Sequence, residues 1–293
     1  TINDLKILHA RYAIACNYEG GIIMDGVLIR LANDKFWYIH ANGDFETWLL
    51  AHSTNLNVCI RDPKSWAIQI QGPNALKLLK SASPKMDLEN FKYFNALFLD
   101  FNGQTFLTSR TGWTGELGFE LYTNGPKDDN LGLWDYLMKK GSEYGILTGG
   151  LDSMGIRRIE AGILDYGTDM DRSNNPFEMG LGKLVDLKKS TYIGKEKLQS
   201  MNKNSMLYGI KCDETVPFSG LNVLDQDEVV GTTTVGAFSP LLKSGIGFVL
   251  FKNKFDGLGK KLSLQDQDKN LYDCEICALP FYDQSKKIPR GYT

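Results

Sequence analysis

The run Arg110-Thr111-Gly112-Trp113-Thr114-Gly115-Glu116-Leu117-Gly118-Phe119-Glu120-Leu121-Tyr122 constrains this chain more than any other stretch. Its glycines recur every third residue, with aromatic and carboxylate side chains among and just after them. The run leaves an alternating strand over residues 105–108 and enters another over 119–122. A glycine-rich turn between strands lets the backbone approach a ligand where a Cβ would clash. Glu120 alternates with Phe119 and Leu121, so it projects from the opposite face. A carboxylate placed there can accept two parallel hydrogen bonds from a planar pair of N–H donors. The same residues also suit an ordinary β-hairpin with solvent-facing glutamates. On physical grounds alone both readings stay open.

At 293 residues the chain can hold one large domain or two to three small ones. Its formal net charge of −2 lacks the basic excess of a nucleic-acid binder. No apolar run reaches the length of a membrane span, and no signal-peptide pattern is visible. The cysteines, Cys16, Cys59, Cys212, Cys274 and Cys277, are odd in number and irregular in spacing. That fits reduced cytoplasmic thiols better than a disulfide framework. Cys274 and Cys277 have C-x-x-C spacing in a strand-like run, which puts the sulfurs on opposite faces, and no second pair completes a four-ligand site. They read as packing, and no metal site is expected. His9, His40 and His52 lie far apart and form no triad or zinc pattern.

Strands are expected over 21–30 and 36–39, separated by a turn at Asn33 and Asp34. Asp44 is a good N-cap for a helix with Phe45, Trp48, Leu49 and His52 on one face. Strands follow over 56–60 and 66–70, then a helix from Pro73 through Leu79 with the proline in its first turn. Strands over 96–101 and 105–109 complete a ferredoxin-like order. Helices are expected over 132–144, with Leu133, Trp134, Leu137 and Met138 inward, and over 150–162. In the second, Leu151, Met154 and Ile159 are the apolar positions, and Gly155 and Gly162 predict close packing. A polar loop covers 165–175, and residues 197–205 read as a linker. Beyond it, short alternating strands over 207–211, 229–235, 246–251, 261–264 and 272–279 predict a small β-barrel.

The 110–122 run resembles the R-T-G-Y-T-G-E-x-G-F-E motif of the glycine cleavage T-protein (aminomethyltransferase) family, with Trp113 at the usual tyrosine. Arg158-Ile159-Glu160-Ala161-Gly162, Tyr166-Gly167-Thr168-Asp169-Met170-Asp171 and Asn175-Pro176-Phe177-Glu178 resemble that family's R-L-E-A-G…Y-G-x-D-x-D…P-x-E run. Glu19-Gly20-Gly21-Ile22-Ile23-Met24-Asp25, Gln71-Gly72-Pro73 and Tyr192-Ile193-Gly194-Lys195-Glu196 also match. One such motif carries little, but five in order, over nearly the whole chain, are specific. The resemblance implies an α+β fold in three parts: an α/β folate-binding part, a ferredoxin-like part near 22–110, and a C-terminal β-barrel. The implied domains are an aminomethyltransferase-like folate-binding domain over 1–204 and a barrel over 205–293. Relatives of this kind carry a further N-terminal segment, so the chain, starting at Thr1, is expected to be a partial view.

The resemblance also implies a cytoplasmic, tetrahydrofolate-dependent one-carbon transferase. Glu120 is the expected anchor of the pterin ring. Asp25 is the expected catalytic carboxylate beside the reactive folate nitrogen. The family has two adjacent acids there; this chain has Met24-Asp25, and only the second acid is kept. A fixed anion would stabilise the charge that develops on the nitrogen and accept its proton. Arg158 and Glu178 are further cofactor-binding candidates. Arg158 and Glu160 stand two apart and do not face each other on a helix, so the arginine needs another partner, for instance in the polar loop. Trp113 and Tyr122 are candidates for a wall facing a cationic substrate, and Arg110 for a substrate carboxylate. The structural alternative for each is core packing or an internal ion pair.

Three activities compete. An aminomethyltransferase would take its one-carbon unit from a lipoyl carrier protein. A methyltransferase resembling dimethylsulfoniopropionate demethylases would take methyl from a small methylated amine or sulfonium. Trp113, the 16–20 and 174–178 segments and the Leu279-Pro280-Phe281-Tyr282-Asp283 tail favour it. Those demethylases place a tryptophan shortly before the strand near Tyr93, where this chain has Lys85-Met86-Asp87-Leu88. A non-catalytic folate-binding protein is the third. Its relatives carry a cysteine that Lys189-Ser190-Thr191-Tyr192-Ile193-Gly194-Lys195-Glu196 lacks.

Overall fold

The computed structural model describes residues 2, 4–84 and 90–291. The 85–88 segment compared above with the demethylases lies outside the described residues. The first sheet is antiparallel and runs β1 (Ala10–Cys16), β2 (Ile22–Arg30) and β3 (Phe36–Ile39). Its register sets Tyr12 against Val27, Ile14 against Asp25, and Ile29 against both Ala10 and Trp37. Alternation therefore puts Ala10, Tyr12, Asp25, Val27, Ile29 and Trp37 on one face. A bulge where β1 meets the start of β2 breaks the ladder at Ile23. Helix α1 (Phe45–Ala51) follows, capped by Asp44, whose carboxylate accepts from the Thr47 N–H at 3.0 Å.

The second sheet has the order β4–β7–β6–β5, from β4 (Ala67–Gln71), β5 (Ala96–Phe101), β6 (Gln104–Ser109) and β7 (Gly118–Tyr122). Helices α2 (Ala75–Ala82) and α3 (Asn130–Gly141) cover one face, where Leu78, Leu79, Leu133 and Leu137 meet Phe101, Phe106, Phe119 and Leu121. The opposite face turns toward the first sheet. Ala10, Ile29, Ala96, Leu107 and Tyr122 form the apolar seam between them, with Trp37 packed against it. The seam holds Glu120 and Asp25 on facing sheets.

Helix α4 (Leu151–Glu160) packs against the C-terminal barrel, and α5 (Lys195–Ser200) precedes it. Six strands close the barrel in the order β10–β11–β8–β13–β12–β9. They are β8 (Leu207–Cys212), β9 (Asn222–Asp225), β10 (Glu228–Ser239), β11 (Ser244–Phe251), β12 (Lys261–Gln265) and β13 (Leu271–Cys277). Ile210, Val223, Val249, Leu264 and Ile276 fill it together with Cys212 and Cys274, while Cys277 lies half-buried. The fold is thus α+β in three parts.

The structure departs from the sequence reading at several elements. Residues 22–110 are divided between two sheets. β1, which the sequence pattern left unassigned, pairs with one edge of β2 and β3 with the other, so the helix-covered antiparallel sheet starts only at β4. Residues 56–60 form no strand. Pro73 sits just before the α2 N-cap, Asn74, rather than in the first turn. Trp134 and Leu151 are 41% and 78% exposed, because Leu133, Leu137 and Ile159 face the core instead. A Cβ on Gly155 would meet open space, so that glycine is not a packing device. The 197–205 linker begins as α5, whose Leu198 is buried against Gly20.

Candidate functional site

Glu120 sits in β7 opposite Gln69 of β4 and Ser109 of β6, so three polar residues form one row across the sheet. The Gln69 amide donates to Glu120 Oε1 at 3.0 Å, and the Tyr122 hydroxyl donates to Oε2 at 2.9 Å. Thr111, at the start of the glycine turn, donates to the same Oε2. The carboxyl is almost fully buried, and burial pushes its pKa up against the opposing bonds from Thr111 and Tyr122. Gln69 Oε1 is buried with no hydrogen-bond partner among the described residues. A buried acceptor left in that state is costly unless a ligand satisfies it. Glu120 and Gln69 Oε1 thus make an acceptor edge suited to a flat heterocycle bearing N–H donors.

Asp25 lies on the β2 face that turns toward this row. The Tyr12 hydroxyl donates to its Oδ2 at 2.7 Å. Burial pushes the Asp25 carboxyl up, the Tyr12 bond holds it down, and the nearby Asp165 carboxylate pushes it up again. The balance is upward, so this acid binds its proton at a higher pH than an ordinary aspartate. Burial beside Asp25 also drives the Tyr12 phenol far above its ordinary value, so it remains a donor.

The polar loop over 165–175 ties the three parts together. Asn42, after β3, donates to Asp165 at 3.3 Å, and Thr168 donates to the same carboxylate at 2.7 Å. Asp169 accepts from the Asp165 N–H at 2.8 Å and from Thr234 of β10 at 3.1 Å. It also forms a fully buried ion pair with Arg158 of α4. The partner required for Arg158 is therefore in the loop. The Arg158 guanidinium also lies over the Trp113 ring, 5.4 Å from its centroid. A cation facing Trp113 is thus already supplied by the chain's own arginine.

The remaining candidates are dispersed. Tyr122 is buried, with its hydroxyl on Glu120 and its ring edge-on to Trp37, so it orients the carboxylate rather than lining a wall. Arg110 donates to the Phe91 carbonyl at 2.6 Å and packs under Gly291, after the short helix α6 (Lys287–Arg290). Glu178 accepts from the Asn175 N–H and side chain and from the Asn174 side chain, at 2.8–3.1 Å, which closes its own turn. Arg157, which the sequence reading passed over, pairs with Glu116 of the glycine turn and with Glu160, and donates to the Tyr282 hydroxyl oxygen at 2.8 Å. Tyr12 and Gln69 were also missed. Tyr12 falls in a strand of small residues with weak alternation, and Gln69 becomes a neighbour of Glu120 only through strand pairing.

Residues 1–189 match the family model described as the GCVT N-terminal domain, and 206–283 match the glycine cleavage T-protein C-terminal barrel domain. An aminomethyltransferase of Clostridium botulinum (strain 657 / Type Ba4) is 34% identical over 282 residues, covering 92% of this chain and 75% of that protein. One of Halothermothrix orenii is 31% identical over 285 residues, covering 94% of this chain and 79% of that one. The crystal structure of glycine cleavage system aminomethyltransferase T from Bartonella henselae matches with a TM-score of 0.85. It is 22% identical, over 96% of this chain and 78% of that one, and shares the fold. No helix among the described residues is long and apolar enough to cross a membrane.

Proposed function

The chain belongs to the glycine cleavage T-protein family, and from that premise we propose that it moves a methyl or methylene group from a small amine or sulfonium donor to tetrahydrofolate. Tetrahydrofolate is the cofactor of this family, and folate-dependent transfer is the coarse activity that membership carries. The observation that carries the site is the acceptor edge of Glu120 and the unpaired Gln69 Oε1. It fits the N–H donors of a pterin, and Thr111 and Tyr122 hold the carboxylate through Oε2.

When bound, tetrahydrofolate supplies a secondary amine that receives the one-carbon unit. Asp25 is the proposed catalytic residue. Its carboxylate stabilises positive charge developing nearby and takes the amine proton. Tyr12 orients that carboxylate from Oδ2. The upward push on Asp25 brings its proton affinity nearer to that of a base working close to neutrality. Arg158 and Asp169 act at a distance, by fixing the loop that carries Asp165. Glu178 and Arg110 hold neighbouring turns.

The test is turnover of tetrahydrofolate with a donor panel: dimethylsulfoniopropionate, glycine betaine, dimethylglycine, sarcosine and an aminomethylated lipoyl carrier. Mass spectrometry separates 5-methyl from 5,10-methylene product. Methyl product from a small donor supports the demethylase form of the proposal. Methylene product from the lipoyl carrier alone replaces the small donor with the carrier protein. Folate binding without turnover of any donor overturns the catalytic reading in favour of a binding protein.

A further inference from the structure

A cavity of about 330 Å³ opens between α1 and the 165–175 loop. Phe45, Trp48 and Tyr166 form its aromatic wall, and Asp44, Arg172 and Asn17 supply its polar groups. The wall is held from behind. The Phe45 ring packs on Tyr38 at 4.7 Å between centroids, and the Trp48 ring packs on His52 at 4.1 Å. Fixed rings reduce the ordering cost of binding.

The charges are placed by the chain itself. Ile22 donates from its backbone to the Asn174 carbonyl at 2.8 Å, and a Cβ on Gly21 would fall 2.0 Å from the Arg172 carbonyl oxygen. This close approach seats the loop on β2 and leaves the exposed Arg172 side chain at the cavity. It makes no ion pair and no side-chain hydrogen bond among the described residues. Tyr166 joins the cavity to the proposed reaction centre: it lines the cavity, and its backbone hydrogen-bonds the Asp25 carboxyl.

We propose that this cavity is the donor subsite and takes a small zwitterion. Its methylated ammonium or sulfonium cation lies against Phe45, Trp48 and Tyr166 with Asp44 at the rim, and its carboxylate pairs with Arg172. Aromatic faces attract such onium groups electrostatically. A charged guanidinium suits the carboxylate. The inference rests on the reading of Asp25 and Glu120 as the folate site. In the transfer, the donor's bond from nitrogen or sulfur to the methyl carbon breaks and its electron pair stays on that atom, which becomes neutral. The methyl carbon forms its new bond to the cofactor's secondary amine, and the amine proton passes to Asp25. No oxidant or reductant is needed.

The experiment is tryptophan-fluorescence and calorimetric titration of the full chain, without folate, with glycine betaine, dimethylsulfoniopropionate and 3,3-dimethylbutyrate. The last has the shape and carboxylate of betaine but no cation. At least one onium compound should bind several-fold more tightly than the neutral isostere. Trp48→Ala and Arg172→Ala should each lower that affinity at least ten-fold, with Trp48→Phe in between and tetrahydrofolate affinity unchanged in all three. Equal binding of the onium and its isostere, or onium binding indifferent to both substitutions, overturns the proposal. So does Arg172→Ala weakening only tetrahydrofolate, which would assign the cavity to the cofactor's own carboxylate tail. Failure of the folate reading is seen separately, as unaltered tetrahydrofolate affinity in Glu120→Ala.

Discussion

Tyr12→Phe removes the one side-chain donor that Asp25 has among the described residues, and leaves the ring. The native hydroxyl donates to Asp25 Oδ2 at 2.7 Å. A hydrogen bond to a charged group is typically worth about 1.5–3 kcal/mol, and one pKa unit corresponds to about 1.4 kcal/mol. Complete loss would therefore raise the Asp25 pKa by roughly one to two units. Water replaces part of the lost donor at a carboxylate that is not fully enclosed, so a rise of about one unit is expected. The two groups that already push Asp25 up, its burial and Asp165, are untouched by the substitution.

The direction in rate follows from the sign. Asp25 acts as the anion, so transfer is lost as pH falls through its raised pKa. Tyr12→Phe raises that pKa further and moves the acid limb of kcat/KM to higher pH by about one unit, while the plateau above it changes little. The assay is the pH profile of kcat/KM for one-carbon transfer to tetrahydrofolate in both proteins, with circular dichroism as the check on folding. An acid limb that stays in place in a folded variant refutes Asp25 as the titrating group. A uniform drop without a shift shows that Tyr12 matters for packing and not for the charge on Asp25.

Asp25→Asn should slow transfer by about a hundred-fold or more, the usual scale of a lost general base, with tetrahydrofolate affinity nearly unchanged by calorimetry. The same variant should be more stable than the parent at neutral pH. A raised folded pKa means native stability falls as pH climbs from the ordinary carboxylate range through the raised value, and asparagine removes that loss; urea midpoints across pH check it. Glu120→Ala should weaken tetrahydrofolate binding by roughly ten- to hundred-fold, from the ~1.5–3 kcal/mol of a charged hydrogen bond, and unchanged affinity takes Glu120 out of the site. Asp169→Ala strands the Arg158 charge in the interior and should cost about 3–5 kcal/mol in urea unfolding. A loss below about 1 kcal/mol would place that pair among solvent-screened surface contacts.

Glu120 was legible because strand alternation is a local rule: Phe119 and Leu121 go to the helix-covered core, and Glu120 goes the other way. Its partners were not legible. Gln69 stands 51 residues away and reaches Glu120 only through the register of β4 with β7. Asp25 was marked by its motif, but Tyr12 was hidden in a strand whose small residues give little alternation, and so the hydrogen bond that tunes Asp25 was hidden too. Helical spacing correctly denied Arg158 its neighbour Glu160, yet could not choose among the loop acids. Trp113 was marked by its place in the glycine turn. A tryptophan in a glycine turn suggests a cation, and a cation is present, but Arg158 provides it.

The 165–175 loop couples the barrel to Asp25. Asp169 takes one hydrogen bond from Thr234 of the barrel, pairs with Arg158 of α4, and receives the Asp165 backbone N–H. Asp165 in turn is fixed by Asn42 and Thr168, and its charge is one of the forces that raise the Asp25 pKa. Loosening the barrel's hold on Asp169 would therefore act on Asp25 through the position of Asp165. The proton affinity of the proposed base is a property of how the three parts pack, and it is written in pairings between residues that lie far apart in the sequence.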